Sequence, residues 1–121
     1  MSRRMERVNV LVRQKLSEII SRDMKDPRLT PVITITRVEV SSDLGRAKVF
    51  TSIMGSPEER ISVINALNSA SGFLRRELRD QISLRNIPHP IFVADDSLVK
   101  AERLIQIIHD VRAKDVSQES T

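Results

Sequence analysis

Cysteine, tryptophan and tyrosine are absent from these 121 residues, glycine occurs three times and histidine twice. Without cysteine there are no disulfides, thiolate zinc sites, iron–sulfur clusters or cysteine nucleophiles, a composition that fits a reducing cytosol. No Gly-rich phosphate loop ending in Lys-Ser or Lys-Thr occurs, and there is no nucleophile elbow and no cofactor fingerprint. No apolar run approaches the roughly 18 residues of a membrane-spanning helix, and Met1-Ser2-Arg3-Arg4-Met5-Glu6 lacks the apolar stretch of a signal peptide. The expectation is a cytoplasmic protein without a membrane partner, a metal or a cofactor.

What is present suits one folded domain. Hydrophobic residues make up 40% and charged residues 30%, enough apolar surface for one core in a chain too short for two ordinary domains. Residues 1–112 are expected to form that domain, and 113–121 to be a polar tail without order. The net charge of +4 is polarised: residues 1–28 hold eight basic side chains against four acidic, and 89–121 hold four against six. Clustered Lys and Arg favour an anionic partner, because neutralising phosphates releases condensed counterions.

Periodicity supplies the elements. Met5, Val8, Val12, Leu16, Ile19 and Ile20 recur at helical spacing, predicting a helix over 3–24 that stops by Asp26-Pro27. The β-branched alternation of 32–40 and that of 46–54, joined by Ser41-Ser42-Asp43-Leu44-Gly45, predict an antiparallel hairpin. Ser56-Pro57-Glu58-Glu59 has the residues of a capping box, and Ile61, Ile64 and Leu67 are expected to face inward. The small residues around Ala70-Ser71-Gly72 interrupt this helical pattern, which predicts a kink before a further helix carrying Leu74, Leu78 and Ile82. Ile91-Phe92-Val93 reads as a third strand. Asp95-Asp96-Ser97 can cap a last helix whose stripe is Leu98, Ala101, Ile105, Ile108 and Val111. The order helix, strand, strand, helix, kink, helix, strand, helix predicts an α+β domain, a three-stranded sheet with helices on one face.

Catalysis has few places to reside. His89, between two prolines, and His109 have no motif that would position them as a general base. Asp95 and Asp96 precede an apolar helical run, where carboxylates serve as caps more readily than as magnesium ligands. The chain reads as a binding protein, not an enzyme.

Basic positions point to the partner. At 100° per residue, Arg4, Arg7, Lys15, Arg22 and Lys25 fall within an arc of about 80° on the first helix, beside its apolar stripe. They can track a phosphate backbone; the alternative is a solvated rim, since Glu18 shares the arc. Arg75, Arg76 and Arg79 share a face after the kink, Arg85 follows, and guanidinium forks suit phosphate oxygens. Ala70-Ser71-Gly72 would leave backbone uncovered for a sugar-phosphate chain, or Gly72 would permit close helix–sheet packing. Phe50, Phe73 and Phe92 sit in apolar patterns and are expected in the core, which leaves base stacking without a platform.

Asp26-Pro27-Arg28-Leu29, Val38-Glu39-Val40-Ser41-Ser42-Asp43-Leu44 with Ala47-Lys48-Val49, Leu67 through Arg75, Leu84-Arg85 with Pro88, and Phe92 with Asp95-Asp96-Ser97 together resemble the ribosome-binding factor A family. These bacterial assembly factors have a KH-like domain of the second topological type, in which an Ala-x-Gly kink, here Ala70-Ser71-Gly72, replaces the KH loop. The resemblance covers about residues 3–110. It implies binding to the free small (30S) ribosomal subunit and its 16S rRNA during late maturation, with help in processing the precursor's 5′ end and in growth after cold shock. It also implies release by a ribosome-associated GTPase and no catalysis by the factor itself. A generic single-stranded RNA-binding KH-like module and a protein-interaction module are the rival readings. No apolar stripe is left over to demand a dimer, so a monomer is expected.

Overall fold

A computed structural model describes residues 3–29 and 31–119, leaving aside the side chains at 98, 99 and 115–119. Helix α1 (Arg3–Asp23) leads through a short 3-10 turn (Pro27–Leu29) into strands β1 (Val32–Val40) and β2 (Arg46–Met54). Helices α2 (Pro57–Ser69) and α3 (Ser71–Gln81) follow, then β3 (His89–Ala94) and α4 (Ser97–Glu119). The element order is the one expected of the KH-like domain.

Local chemistry explains the joints. Asp26 ends α1's exit by accepting from the Arg28 backbone N–H at 2.9 Å while pairing with the Arg28 guanidinium at 2.8 Å, which holds its carboxyl below the usual range. The hairpin turn is closed by Ser41 and Asp43: the Ser41 hydroxyl donates to Asp43 at 2.6 Å, and Asp43 accepts from the Gly45 N–H at 2.9 Å. Leu44, not a glycine, takes the left-handed backbone there (φ 61°) and buries its side chain. The cost of that conformation is offset by the apolar contact. At α2 the predicted capping box is complete, with Glu59 N–H to Ser56 Oγ at 3.1 Å and Ser56 N–H to Glu59 Oε1 at 3.0 Å.

The sheet order is β1-β2-β3, antiparallel between β1 and β2 and parallel between β2 and β3. A bulge at Thr36 breaks the β1 register between Ile35 and Arg37. Ile35 and Val38 therefore both face inward although three residues apart, together with Val40, Ala47, Val49, Ile53 and Phe92. Against this face pack Val12, Leu16 and Ile19 of α1, Val63 and Leu67 of α2, and Leu74 and Leu78 of α3, all fully buried. Truncating any one of these leucines to alanine costs about 2–5 kcal/mol.

Four expectations are corrected. Ile61 is 63% exposed; Val63, Ala66 and Leu67, at i, i+3 and i+4, form the buried face, and Ile61 falls on the opposite side of the helix. Helix α1 ends at Asp23, so Lys25 lies beyond it. Helix α4 continues through Glu119, where a disordered tail was expected from 113; Ser120 and Thr121 lie outside the described residues. Most consequentially, α4 does not cover the sheet, so an apolar stripe is left over after all and the ground for expecting a monomer falls away. Leu104, Ile105, Ile108 and Val111 are 59, 56, 46 and 53% exposed, and the expected stripe member Leu98 lies among side chains not described. Amphipathic spacing shows that a helix has an apolar face, but the partner for that face has to come from the topology.

Candidate nucleic-acid interface

The basic row of α1 is partly neutralised. Lys15 lies 3.5 Å from Glu18 and Arg22 lies 3.8 Å from Asp23, whereas Arg4 and Arg7 at the helix start are exposed. Arg13, which the arc reading left out, reaches the Thr36 carbonyl at 3.4 Å. Where α1 meets the segment after α3, a cleft of about 210 Å³ is lined by Arg4, Arg85, Ser42 and Ser83 among others. Of the two predicted groups of cations, these two arginines are the pair that the fold brings into one cleft.

The predicted kink is present. Ala70 closes α2 and opens α3 (φ −91°, ψ 7°), and bonds run across the break from Ala70 N–H to the Ala66 carbonyl at 3.2 Å and from Leu74 N–H to the Ala70 carbonyl at 2.9 Å. Three side chains on this kinked rod dock it to β3 and to Ile87 just before it. The Asn68 amide takes both backbone groups of Phe92, at 3.0 and 2.8 Å. The Ser71 hydroxyl lies 3.4 Å from His89 Nε2, and Arg75 Nε donates to the Ile87 carbonyl at 2.9 Å. Arg75 is thus half-buried and structural at its Nε, unlike Arg76 and Arg79, which are exposed. Asn68 went unnoticed in the sequence because an amide carries no charge signal; its position one turn ahead of Ser71 and two ahead of Arg75 was the available clue.

Gly72 is exposed, has no left-handed backbone, and an added Cβ would meet only Arg76 Nη1 at 3.8 Å. Close packing therefore does not require glycine here. Gly72, Arg76 and Arg79 stand at i, i+4 and i+7, one exposed row on which bare backbone adjoins two guanidinium groups. Such a row can take a phosphate and its sugar at short range.

Phe50 corrects a further expectation. Phe92 is buried and Phe73 packs against the core, but Phe50 points to the open face of the sheet. Arg37 lies 4.0 Å from its ring centroid and Lys48 5.2 Å. The pattern Arg46, Lys48, Phe50 at period two, opposite buried Ala47, Val49 and Thr51, was the sequence signal for it.

Asp95 holds the sheet to α4. Its carboxylate accepts from the Thr36 hydroxyl on the bulge and from the Ser97 N–H at 3.0 Å, and these bonds lower its pKa to about 2. Asp96 pairs with Lys100 at 3.3 Å. Both aspartates thus cap or tether α4's start, and no group of three or more His, Asp or Glu side chains suited to a metal occurs among the described residues. No helix among the described residues is long and apolar enough to cross a membrane.

A family model described as ribosome-binding factor A matches residues 4–108. The chain belongs to the ribosome-binding factor A family. It is 38% identical over 115 residues to ribosome-binding factor A of Dictyoglomus thermophilum, covering 95% of this chain and 96% of the relative. The crystal structure of ribosome-binding factor A from Thermus thermophilus has the same fold, with a TM-score of 0.66 at 23% identity over 74% of this chain and 93% of that one. Thermus thermophilus ribosome-binding factor A coordinates fitted into a cryo-EM map of a 30S complex align at TM-score 0.60 and 24% identity, over 73% and 91% of the two chains. Ribosome-binding factor A is a binding factor, not an enzyme. Several stretches that carry the resemblance to it have local structural work here: Asp26 shapes a turn, Asn68 ties α2 to β3, and Asp95 tethers α4.

Proposed function

We propose that this chain is a cytoplasmic assembly factor that binds the free small ribosomal subunit as a single copy, contacting 16S rRNA during late maturation. On this reading it assists processing of the precursor's 5′ end, supports growth in the cold, and is released by a ribosome-associated GTPase. Family membership supports the ribosomal target, and a relative has been fitted into a 30S complex. The observation that carries the contact surface is the exposed row Gly72, Arg76 and Arg79, with the Arg4–Arg85 cleft as a second cationic site. Arg7, Lys15, Arg22 and Lys25 add field at longer range, while Arg75, Ala70 and Ser71 hold the geometry.

Base readout at the β3 edge is disfavoured, because the Phe92 N–H and C=O are already held by Asn68. Recognition by shape and phosphate charge follows. With four phosphates contacted, raising salt from 50 to 200 mM should weaken binding about 50- to 150-fold. Sedimentation with purified free small subunits and, separately, with complete ribosomes tests the reading. Co-migration of one copy with the free subunit alone is expected. Migration with neither, while unrelated single-stranded RNA is still bound, would replace this reading by that of a generic RNA-binding module.

A further inference from the structure

The open face of the sheet carries chemistry that the helical surface lacks. Alternation along β2 puts Arg46, Lys48 and Phe50 on that face, and the strand register sets Arg37 beside Phe50, with Ile91 and Val93 beside Lys48 and Phe50. The guanidinium lying 4.0 Å from the ring centroid forms a flat layer whose outer side is weakly hydrated. Glu39, 3.3 Å from Arg37 Nε, is the one acidic residue in the three strands, against the cations Arg37, Arg46 and Lys48. A trough of about 520 Å³ lies alongside, lined by Ile91 and Val93, by the cations Arg46 and Lys48, and by Glu39.

We infer that this face binds an unpaired segment of RNA, with a base stacked on the Arg37–Phe50 layer or laid on Ile91 and Val93, and with Arg46 and Lys48 on the phosphates. A guanidinium–ring platform beside apolar Ile91 and Val93, with further cations next to it, matches a strand whose bases are splayed out, whereas an A-form duplex keeps its base faces hidden. An acidic peptide would match the charge, but its carboxylates would pair with the guanidinium edges and leave the Phe50 ring and the Ile91–Val93 surface unused. The face is also continuous with the helical row: His89, in register with Arg46, lies 3.4 Å from Ser71 at the kink. An RNA gripped along Gly72, Arg76 and Arg79 can therefore continue over the end of the sheet. The inference rests on the reading of the chain as an rRNA binder and adds that part of its target is single-stranded.

The test uses the full chain and a single-stranded RNA of about ten nucleotides containing 2-aminopurine, with a duplex of the same length as comparison. Binding should quench the 2-aminopurine by stacking and should favour the single strand. Arg37→Ala and Phe50→Leu should each weaken single-strand binding about tenfold, and Phe50→Tyr, which keeps the ring, should retain it. Circular dichroism should show the same fold in all three, since neither side chain belongs to the core. Undiminished binding by Arg37→Ala and Phe50→Leu, or binding without quenching, would overturn the inference. So would Arg37-dependent capture of a polyglutamate peptide with RNA binding unaffected. Subunit sedimentation separates the two readings: oligonucleotide binding without subunit binding sinks the ribosomal target and spares this face, and the reverse sinks this face alone.

Discussion

Replacing Gly72 by alanine separates what the fold needs from what a partner needs. The residue sits in the first turn of α3 with ordinary backbone geometry, and the nearest heavy atom to a new Cβ is the end of the flexible Arg76 side chain at 3.8 Å, an ordinary van der Waals contact. Nothing opposes the entropic gain of losing a glycine from a helix, so stability should rise by about 0.5–1 kcal/mol. For a chain of this size the melting temperature should rise by roughly 2–6 °C. With no Trp or Tyr in the sequence, unfolding is best followed by far-ultraviolet circular dichroism in a urea titration, where the midpoint should rise at constant slope. Binding to the free small subunit should fall several-fold in the same protein, because a methyl group now stands where backbone was bare beside Arg76 and Arg79. A fall in stability would refute the claim that the fold has room for a side chain. Greater stability with unchanged affinity would remove Gly72 from the contact surface.

Further outcomes follow from other parts of the molecule. The double variant Arg76→Ala, Arg79→Ala should lose subunit affinity and flatten its salt dependence while unfolding at the wild-type urea concentration; an unchanged salt slope would show that these arginines meet no phosphate. Asn68→Ala leaves the Phe92 backbone groups without their partner and should cost about 1–3 kcal/mol, read as a lower urea midpoint. Asp95 is ionised down to about pH 2 in the folded protein against 3.8 when free. The stability that its bonds contribute is therefore fully present above about pH 4–5 and is lost as pH falls from 3.8 towards 2, where the folded protein's carboxylate is itself protonated. Urea midpoints between pH 5 and 2.5 should fall less steeply in Asp95→Asn, and parallel curves would refute the tether. Ending the chain after Arg103 should leave the melting temperature within about 1 °C of the full chain, since the described side chains of α4 beyond that point are exposed.

Much of the architecture could be read from the residues because short-range signals agree with one another there. The 3.6-residue spacing of α1, the alternation of β1 and β2, the complete Ser56–Glu59 box and the small-residue interruption at Ala70 each act within a few positions, and each appears where expected. What was not legible depends on contacts distant in the chain. The bulge at Thr36 is tied by Asp95, which lies 59 residues further on. Leu44 adopts the left-handed conformation because Ser41, Asp43 and the core fix it, although Gly45 stood next to it. The stripe on α4 was visible, but its lack of a neighbour was not. Within the candidate interface, charge marked Arg76, Arg79 and Arg85, and charge alone could not show that Arg75 is committed to Ile87 or that Phe50 faces outward.

The polar ties along the rim of the sheet limit how this protein can meet another chain. The Val40 N–H of β1 is taken by Asn9 at 2.8 Å and the Thr36 carbonyl by Arg13, while on the far side both backbone groups of Phe92 are taken by Asn68. An incoming strand, whether from a second copy or from an extended peptide, finds donors and acceptors it would need already occupied. A strand added at these positions would have to displace Asn9, Arg13 or Asn68, which favours encounters on the faces and helix surfaces, where charge and shape decide the outcome.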